Sequence, residues 1–388
     1  MIFIYKMKFR LNLTFLFILV YATSLEATVQ NNLGRSPKGL LMGDAYTAIA
    51  DDAFTLFYNP AALGRHKGIS FNPINPMVTG SNLIQESDRF KELPSDPSAI
   101  AGRLLNYPVG AELSVFPTLK LGNFGMSFFA SNRTNLILRN AVHPNVDIDY
   151  RYDRGLIFGY AYSIGRGAMA QKIIRSSKTK MTTGSRLSFG ASIKYINREG
   201  IKDNFDLFGT TLLSKIASGQ TSFSELKKAF GYADGAAWGT DLGMEYVVAS
   251  RRTQIITGIS VLNVGDTTFS KKSGTSNLPK EEMSVNTGLA LKQDFGIFDY
   301  TLSADLRPLN ADIDFGRKLH FGTELSFKIL SLNAGWNEGY LSYGASLDLW
   351  PFTLSAGFYG VEAGSQFAQQ QAKRVVVYLS LFDFSFDI

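Results

Sequence analysis

Along most of this chain apolar and polar residues take turns, in some fourteen runs of roughly ten positions each, the length a tilted strand needs to cross a bilayer. From Asp241 to Tyr246, Leu242, Met244 and Tyr246 share one parity and Asp241, Gly243 and Glu245 the other. The run from Gln254 sets Ile255, Thr257, Ile259 and Val261 against Gln254, Gly258 and Ser260. The run from Lys318 sets Leu319, Phe321, Thr323, Leu325 and Phe327 against His320, Gly322, Glu324 and Ser326. Successive side chains of a strand point to opposite faces, so each run has an apolar face and a face of polar and small residues. Strands are predicted over 69–78, 110–121, 123–133, 153–164, 184–198, 237–250, 252–264, 281–293, 297–307, 316–328, 329–338, 340–350, 351–361 and 374–386.

An even number of strands suits a single-chain barrel with short turns at one end and long loops at the other. Long connections are expected at 79–109, 134–152, 199–236, 265–280, 308–315 and 362–373; Gly122, Arg251, Asp294–Gly296 and Trp350–Pro351 are expected to be tight. Two connections break the rule. Asn337–Gly339 is short where a long loop is due, and 165–183 is long where a turn is due. The latter, with Arg166, Lys172, Arg175, Lys178 and Lys180, is either a long loop on the short-turn side or the mark of a misplaced strand pair upstream. Within 205–232, Leu212, Leu213, Ile216, Phe223, Leu226 and Phe230 recur at helical spacing. A helix there would be a lid over the barrel mouth or a cover for its rim. Parity changes near Phe382–Asp383, where a bulge is expected.

Composition narrows the class. The 388 residues include 36 Gly, 30 Phe and 17 Tyr, which favour strands, turns and aromatic girdles. No linker-like shift divides the chain, and a mean hydropathy near zero suits a barrel whose polar lumen offsets its lipid face. Without cysteine there is no disulfide or thiol chemistry. Lys6, Lys8 and Arg10 precede the apolar run Leu11–Ala22, the arrangement of a cleavable export signal covering residues 1–24, or 1–27 if cleavage follows Ala27. The signal accounts for three of the cations behind the formal charge of +6, so the balance does not argue for nucleic acid.

Residues 25–68 are not strand-like. In 36–64, Leu41, Ala45, Ala48 and Ile49 share one helical face, with Ala53 and Leu56 farther along, and Asn59–Pro60–Ala61 reads as a capped helix start. The segment is too rich in small residues to lie on lipid. It is expected inside the lumen, with Asp51 and Asp52 meeting Lys194, Arg186 or Arg307 from the wall. The fold expected is therefore all-β: a single antiparallel transmembrane β-barrel of about 14 strands, residues 69–388, with an N-terminal helical plug segment in its lumen.

Gly43–Asp44–Ala45–Tyr46–Thr47–Ala48, Asp51–Asp52–Ala53 and Tyr58–Asn59–Pro60–Ala61–Ala62–Leu63 together resemble the N-terminal signature of the FadL-like outer-membrane barrels. That superfamily includes channels for long-chain fatty acids and hydrophobic compounds, and the PorV-like proteins of the type IX secretion system. The run LSLNAGWNEGYLSYGASLDLWPFTLSAGFY is similar to hairpins of the PorV-like branch. The resemblance implies a fourteen-stranded barrel plugged by its N-terminal segment. It also implies either transport of a hydrophobic small molecule or binding of an exported protein, in a bacterial outer membrane with lipid around the wall.

Two departures bear on function. Lumen parity is polar, with Arg186, Lys194, Asp241, Glu245, Asp305, Arg307, His320, Glu324, Lys328 and Asn333, whereas a carrier of apolar molecules needs an apolar recess. Tyr46, Phe54, Phe57 and Tyr58 of the plug, beside Asp51, Asp52, Asn59 and Pro60, are the candidates to line one. The chain also ends Phe386–Asp387–Ile388 rather than on an aromatic residue. Catalysis has little support. His66, His143 and His320 are scattered, the pairs Asp51–Asp52 and Glu281–Glu282 diverge, and no phosphate loop, nucleophile elbow or zinc spacing occurs. No cofactor or metal is implied.

Overall fold

Strands form where the alternation runs, and between residues 124 and 249 they form longer than the bilayer requires. The computed structural model describes residues 32–65, 68–82, 102–140, 145–165, 183–206 and 231–386. Fourteen antiparallel staves close into a barrel. We number them β1 (Ile69–Asn72, continued by Met77–Ser81), β2 (Pro108–Val115, continued by Thr118–Leu121), β3 (Phe124–Arg139), β4 (Asn145–Gly165), β5 (Gly184–Asp206), β6 (Ala233–Ala249) and β7 (Thr253–Leu262, continued by Ser270–Gly274). They go on as β8 (Ser284–Asp294), β9 (Asp299–Leu306), β10 (Leu319–Ser326), β11 (Leu330–Asn337), β12 (Tyr340–Leu349), β13 (Phe352–Glu362) and β14 (Gln371–Leu381, continued by Phe384–Phe386). The last stave closes on the first through Val377↔Val78 and Phe71↔Phe384.

All fourteen predicted strands are present. Outward residues such as Phe158, Tyr160, Phe189, Leu242, Leu289, Phe321, Leu332 and Val377 are exposed, an apolar face that suits only lipid. Trp336, Tyr343, Trp350 and Phe352 are exposed as a girdle requires.

The predicted loops need correction. Most of 134–152 is strand, since β3 and β4 pair from Phe124↔Tyr160 to Arg139↔Asn145. Likewise β5 runs to Asp206 and β6 starts at Ala233, inside the predicted 199–236 loop. Alternation persists there, with Leu136, Leu138, Val146 and Ile148 opposite Arg139, Asp147 and Asp149, but with too much charge to look lipid-facing.

The doubt over 165–183 resolves in favour of the strands, because β4 and β5 keep register from Asn145↔Asp206 to Gly165↔Arg186. Residues 166–182 themselves, the helical pattern of 207–230, His66, His143 and the leader lie outside the described residues. The Asn337–Gly339 turn is tight, with Glu338 and Gly339 at φ 51° and 103°. The expected bulge appears as Phe382 at φ 60° between the two parts of β14.

Two staves are broken at one level. β1 is interrupted across 73–76, and β2 across Phe116–Pro117. The side chain of Asn75 fills the gap between them: its Nδ2 donates to the Phe116 carbonyl and its Oδ1 accepts the Phe116 N–H, both at 2.7 Å.

Candidate functional site: the plug and the wall that holds it

The chain from Leu33 to Arg65 fills the lumen. It is less helical than expected, with α1 (Pro37–Leu41), α2 (Thr55–Tyr58) and a 3₁₀ turn, Pro60–Arg65. Ser36 caps α1, its Oγ accepting the Gly39 N–H. The helical face of Leu41, Ala45, Ala48 and Ile49 fails after Leu41 because Gly43 and Asp44 take φ 64° and 61°, which turns the backbone out of the helix. Asn59 does cap, its Oδ1 accepting the Ala61 N–H at 3.1 Å, and Pro60 opens the next turn.

Cross-strand glycine pairs face the plug. Gly125↔Gly159, Gly190↔Gly243, Gly258↔Gly288, Gly322↔Gly335 and Gly344↔Gly357 are register partners on five strand pairs. All sit at lumen parity. A Cβ at Gly190 would fall 2.3 Å from the Ala61 nitrogen, and one at Gly335 2.2 Å from the Gly43 nitrogen. At Gly243 it would meet Asn59 Oδ1 at 2.1 Å, and at Gly357 a Leu41 methyl at 2.4 Å. These glycines lower the wall so that the plug backbone can lie against it. Sequence reasoning missed this surface, although Gly243, Gly258 and Gly322 stood on the polar parity of the clearest runs.

Charge then pins the plug at three points. Arg65, fully buried, donates Nε to Glu245 at 3.0 Å and Nη2 to the other carboxylate oxygen, while Nη1 and Nη2 reach the carbonyls of Ala50 and Ala48. Asp44 pairs with Arg307 and with Arg35 at 3.5 Å, and accepts the Tyr58 hydroxyl at 2.6 Å. Burial works against the Asp44 anion, but the two guanidiniums hold its carboxyl below the usual range. At the third point Lys38 bridges Glu324 at 2.8 Å and Asp51 at 3.9 Å, and Lys292 reaches Asp51 at 2.9 Å.

Three other wall candidates also act on the plug. Arg186 donates to the carbonyls of Gly64 and Arg65, Asp305 accepts the Thr47 N–H at 2.7 Å, and His320 contacts the Gly43 carbonyl at 3.0 Å. Lys194 and Asp241 pair with each other at 2.6 Å. The expected partners of Asp51 and Asp52 were therefore wrong: Asp51 meets Lys292 and Lys38, and Asp52 accepts from the Ser36 hydroxyl and the Phe54 N–H. Lys328 is exposed in the β10–β11 turn, not in the lumen.

The two adjacent aspartates differ in their protons. Burial opposes ionisation of Asp51, but the Lys292 and Lys38 ammoniums hold it below the ordinary carboxylate value. No ammonium pairs directly with Asp52 among the described residues, and the more distant Lys38 opposes the effect of burial least. Burial pushes its carboxyl up to about 6, aided by Asp51 and resisted by the Ser36 and Phe54 hydrogen bonds. A raised carboxyl pKa stabilises the docked plug fully below the ordinary value of 3.8, and that contribution is lost as pH rises through about 6. Asp52→Asn is expected to remove the decline in plug stability between these limits while leaving the acid-side loss due to Asp44 and Asp51. Thermal midpoints of the two proteins against pH check this; parallel curves would contradict it.

The aromatic candidates do not line an empty recess. Tyr46 and Tyr58 meet edge to face at 5.1 Å. Phe54 packs on Phe116 at 4.8 Å and on Tyr378 at 6.2 Å. Phe57 packs on Phe116 at 5.1 Å and Phe129 at 5.9 Å. Phe116 is the residue at the break in β2, so this apolar cluster lies directly behind the interrupted wall. A small polar cavity lined by Arg35, Asp44, Arg307, His320, Asn337, Glu338 and Val361 is of water size.

No family model and no curated protein matches the chain. Among solved structures it is similar to the CymD monoaromatic hydrocarbon channel, with 14% identity over 92% of this chain and 99% of that one and a TM-score of 0.48. The Pseudomonas putida toluene transporter TodX aligns at 15% identity over 91% and 99%, TM-score 0.43. The Ralstonia pickettii toluene transporter TbuX aligns at 11% over the same shares, TM-score 0.43.

Proposed function

We propose that this protein is an outer-membrane channel for hydrophobic small molecules, with its short turns in the periplasm and its long strand extensions outside. The observation that carries this reading is the aromatic cluster of Phe54, Phe57, Phe116, Phe129 and Tyr378 behind the break in β1 and β2. It is the aromatic part of the lumen's buried apolar cluster, beside walls that are charged and hydrogen-bonded. An apolar molecule gains by contact with it, at about 25 cal/mol for each Å² of apolar surface removed from water.

Beside the cluster, Pro73, Pro76 and Pro117 cannot donate to a strand ladder, and the Asn75 amide bridges the two staves in its place. Parting that bridge joins the cluster to the bilayer without dismantling a continuous ladder. Passage through the lumen itself requires the plug to move, since residues such as Ala45, Tyr46, Ala48 and Ile49 are fully buried.

Purified protein in liposomes is expected to speed entry of a monoaromatic hydrocarbon or a long-chain fatty acid over empty liposomes. Phe54→Ala with Phe57→Ala should abolish the gain while the barrel remains folded and heat-modifiable on gels. Entry no faster than in empty liposomes for both solute types would refute the reading.

A further inference from the structure

The outward face of β4–β7 changes character in register as it leaves the apolar belt. Phe128, Leu156, Tyr195 and Trp238 are successive cross-strand partners and form one outward row of the belt. The Tyr195 and Trp238 rings lie 4.9 Å apart, and Trp238 is 67% exposed. Two residues farther along, about 7 Å by strand geometry, Arg154 stands opposite Asn197. Asn197 Oδ1 accepts from Lys272 Nζ at 3.2 Å and from the Tyr195 hydroxyl at 3.3 Å. Arg154 and Lys272 are thus set at one level around a neutral amide, with the aromatic row beneath them. The Arg154 side chain is 51% exposed and stacks over the Tyr152 ring at 4.9 Å.

The acids sit one row farther out. Glu199 and Asp234 are cross-strand partners. Glu199 accepts from Arg154 at 3.0 Å, and Asp234 accepts from the Ser273 hydroxyl. Going outward, the wall therefore presents apolar rings, then cations, then carboxylates. Lipid headgroups present the complementary order: acyl chains meet the rings, and an anionic group attached to them meets the cations before it reaches the acids. Arginine and lysine both bind phosphate through charge-assisted hydrogen bonds, and exposed cations beside an aromatic girdle draw anionic headgroups.

We propose that this face binds the phosphorylated headgroup of a lipid in the leaflet at the long-strand end, with Arg154 and Lys272 on the phosphate and Trp238 and Tyr195 against the start of its acyl chains. The inference rests on the orientation proposed above, and commits to lipid over free phosphate because the cations are continuous with the lipid-facing belt.

The test uses the full-length protein in nanodiscs containing lipid A, a phosphorylated glucosamine lipid of the outer leaflet, with lipid retained after extraction read by native mass spectrometry. The wild type should keep lipid A but not its dephosphorylated form. Arg154→Gln with Lys272→Gln should lose most of the retained lipid, whereas Arg251→Gln at the opposite rim should not. Retention by the double variant equal to wild type, or equal retention of dephosphorylated lipid, overturns the proposal, as does displacement by inorganic phosphate alone. Lys272→Cys, in a chain without native cysteine, should react with a membrane-impermeant maleimide on intact cells. Labelling only after lysis refutes the orientation and the site together; surface labelling without lipid retention refutes the site alone.

Discussion

Arg65→Met is expected to cost about 3–5 kcal/mol and to release the plug, because it strands a charge in a place with no water. Arg65 and Glu245 are both fully buried, and the guanidinium also satisfies the carbonyls of Ala48 and Ala50. Removing it leaves the wall's Glu245 as a buried anion without its ion-pair partner and two plug carbonyls without their donor. Replacing both partners, Arg65→Met with Glu245→Leu, removes the charge and should recover much of the loss, since buried ion pairs often exchange for apolar pairs at little net cost. Limited proteolysis of the N-terminal segment and urea midpoints read this out. The single variant should be cleaved at protease concentrations that spare the wild type, with the double variant between them. A single variant as resistant as wild type would mean that this pair does not hold the plug.

Gly190→Val is expected to lift the plug by steric force alone. The new Cβ would lie 2.3 Å from the Pro60 carbonyl carbon and the Ala61 nitrogen, backbone atoms that cannot rotate away. Overpacking of this kind costs about 1–3 kcal/mol or more when backbone must shift. Gly190 is also a strand residue at which valine favours the ladder, so the barrel itself should be undiminished. Gly80→Ala is the matched control, because its nearest foreign atom is 3.8 Å away. Plug protection should fall in Gly190→Val and remain in Gly80→Ala, with both proteins heat-modifiable. Equal protection would show that the glycine pairs are not the plug's seat.

The wall was legible in the sequence because each residue's role there depends on parity alone. Leu242, Ile259 and Phe321 face out and Asp241, Glu245 and His320 face in, as alternation requires. The charged lumen was also legible, but its pairings were not. Whether Asp51 meets Lys292 or Lys194 depends on how far the plug advances along the axis, which no local pattern encodes. The helical face read within 36–64 was overread because Leu41, Ala45 and Ala48 keep helical spacing across Gly43–Asp44, where positive φ ends the helix. The glycine pairs escaped because a lone glycine in a strand reads as a weakness or a bulge; its meaning here comes from the backbone on the other side of the gap. Phe54 and Phe57 pack against Phe116, Phe129 and Tyr378, which fill the recess expected between them.

In the proposed channel the plug seals the lumen and must move for solute to pass. A Cβ at Gly64 falls 3.3 Å from that of Ser188 on β5 once the Ser163 hydroxyl, 2.2 Å away, rotates aside, close to disulfide range at roughly 3.5–4.5 Å, and the chain offers no competing cysteine. Gly64→Cys with Ser188→Cys therefore allows the plug to be bonded to the wall and freed in one preparation, while hydrocarbon entry into liposomes is followed. Entry should fall to the level of empty liposomes when the pair is oxidised and return on reduction. Equal entry in the two states would contradict the claim.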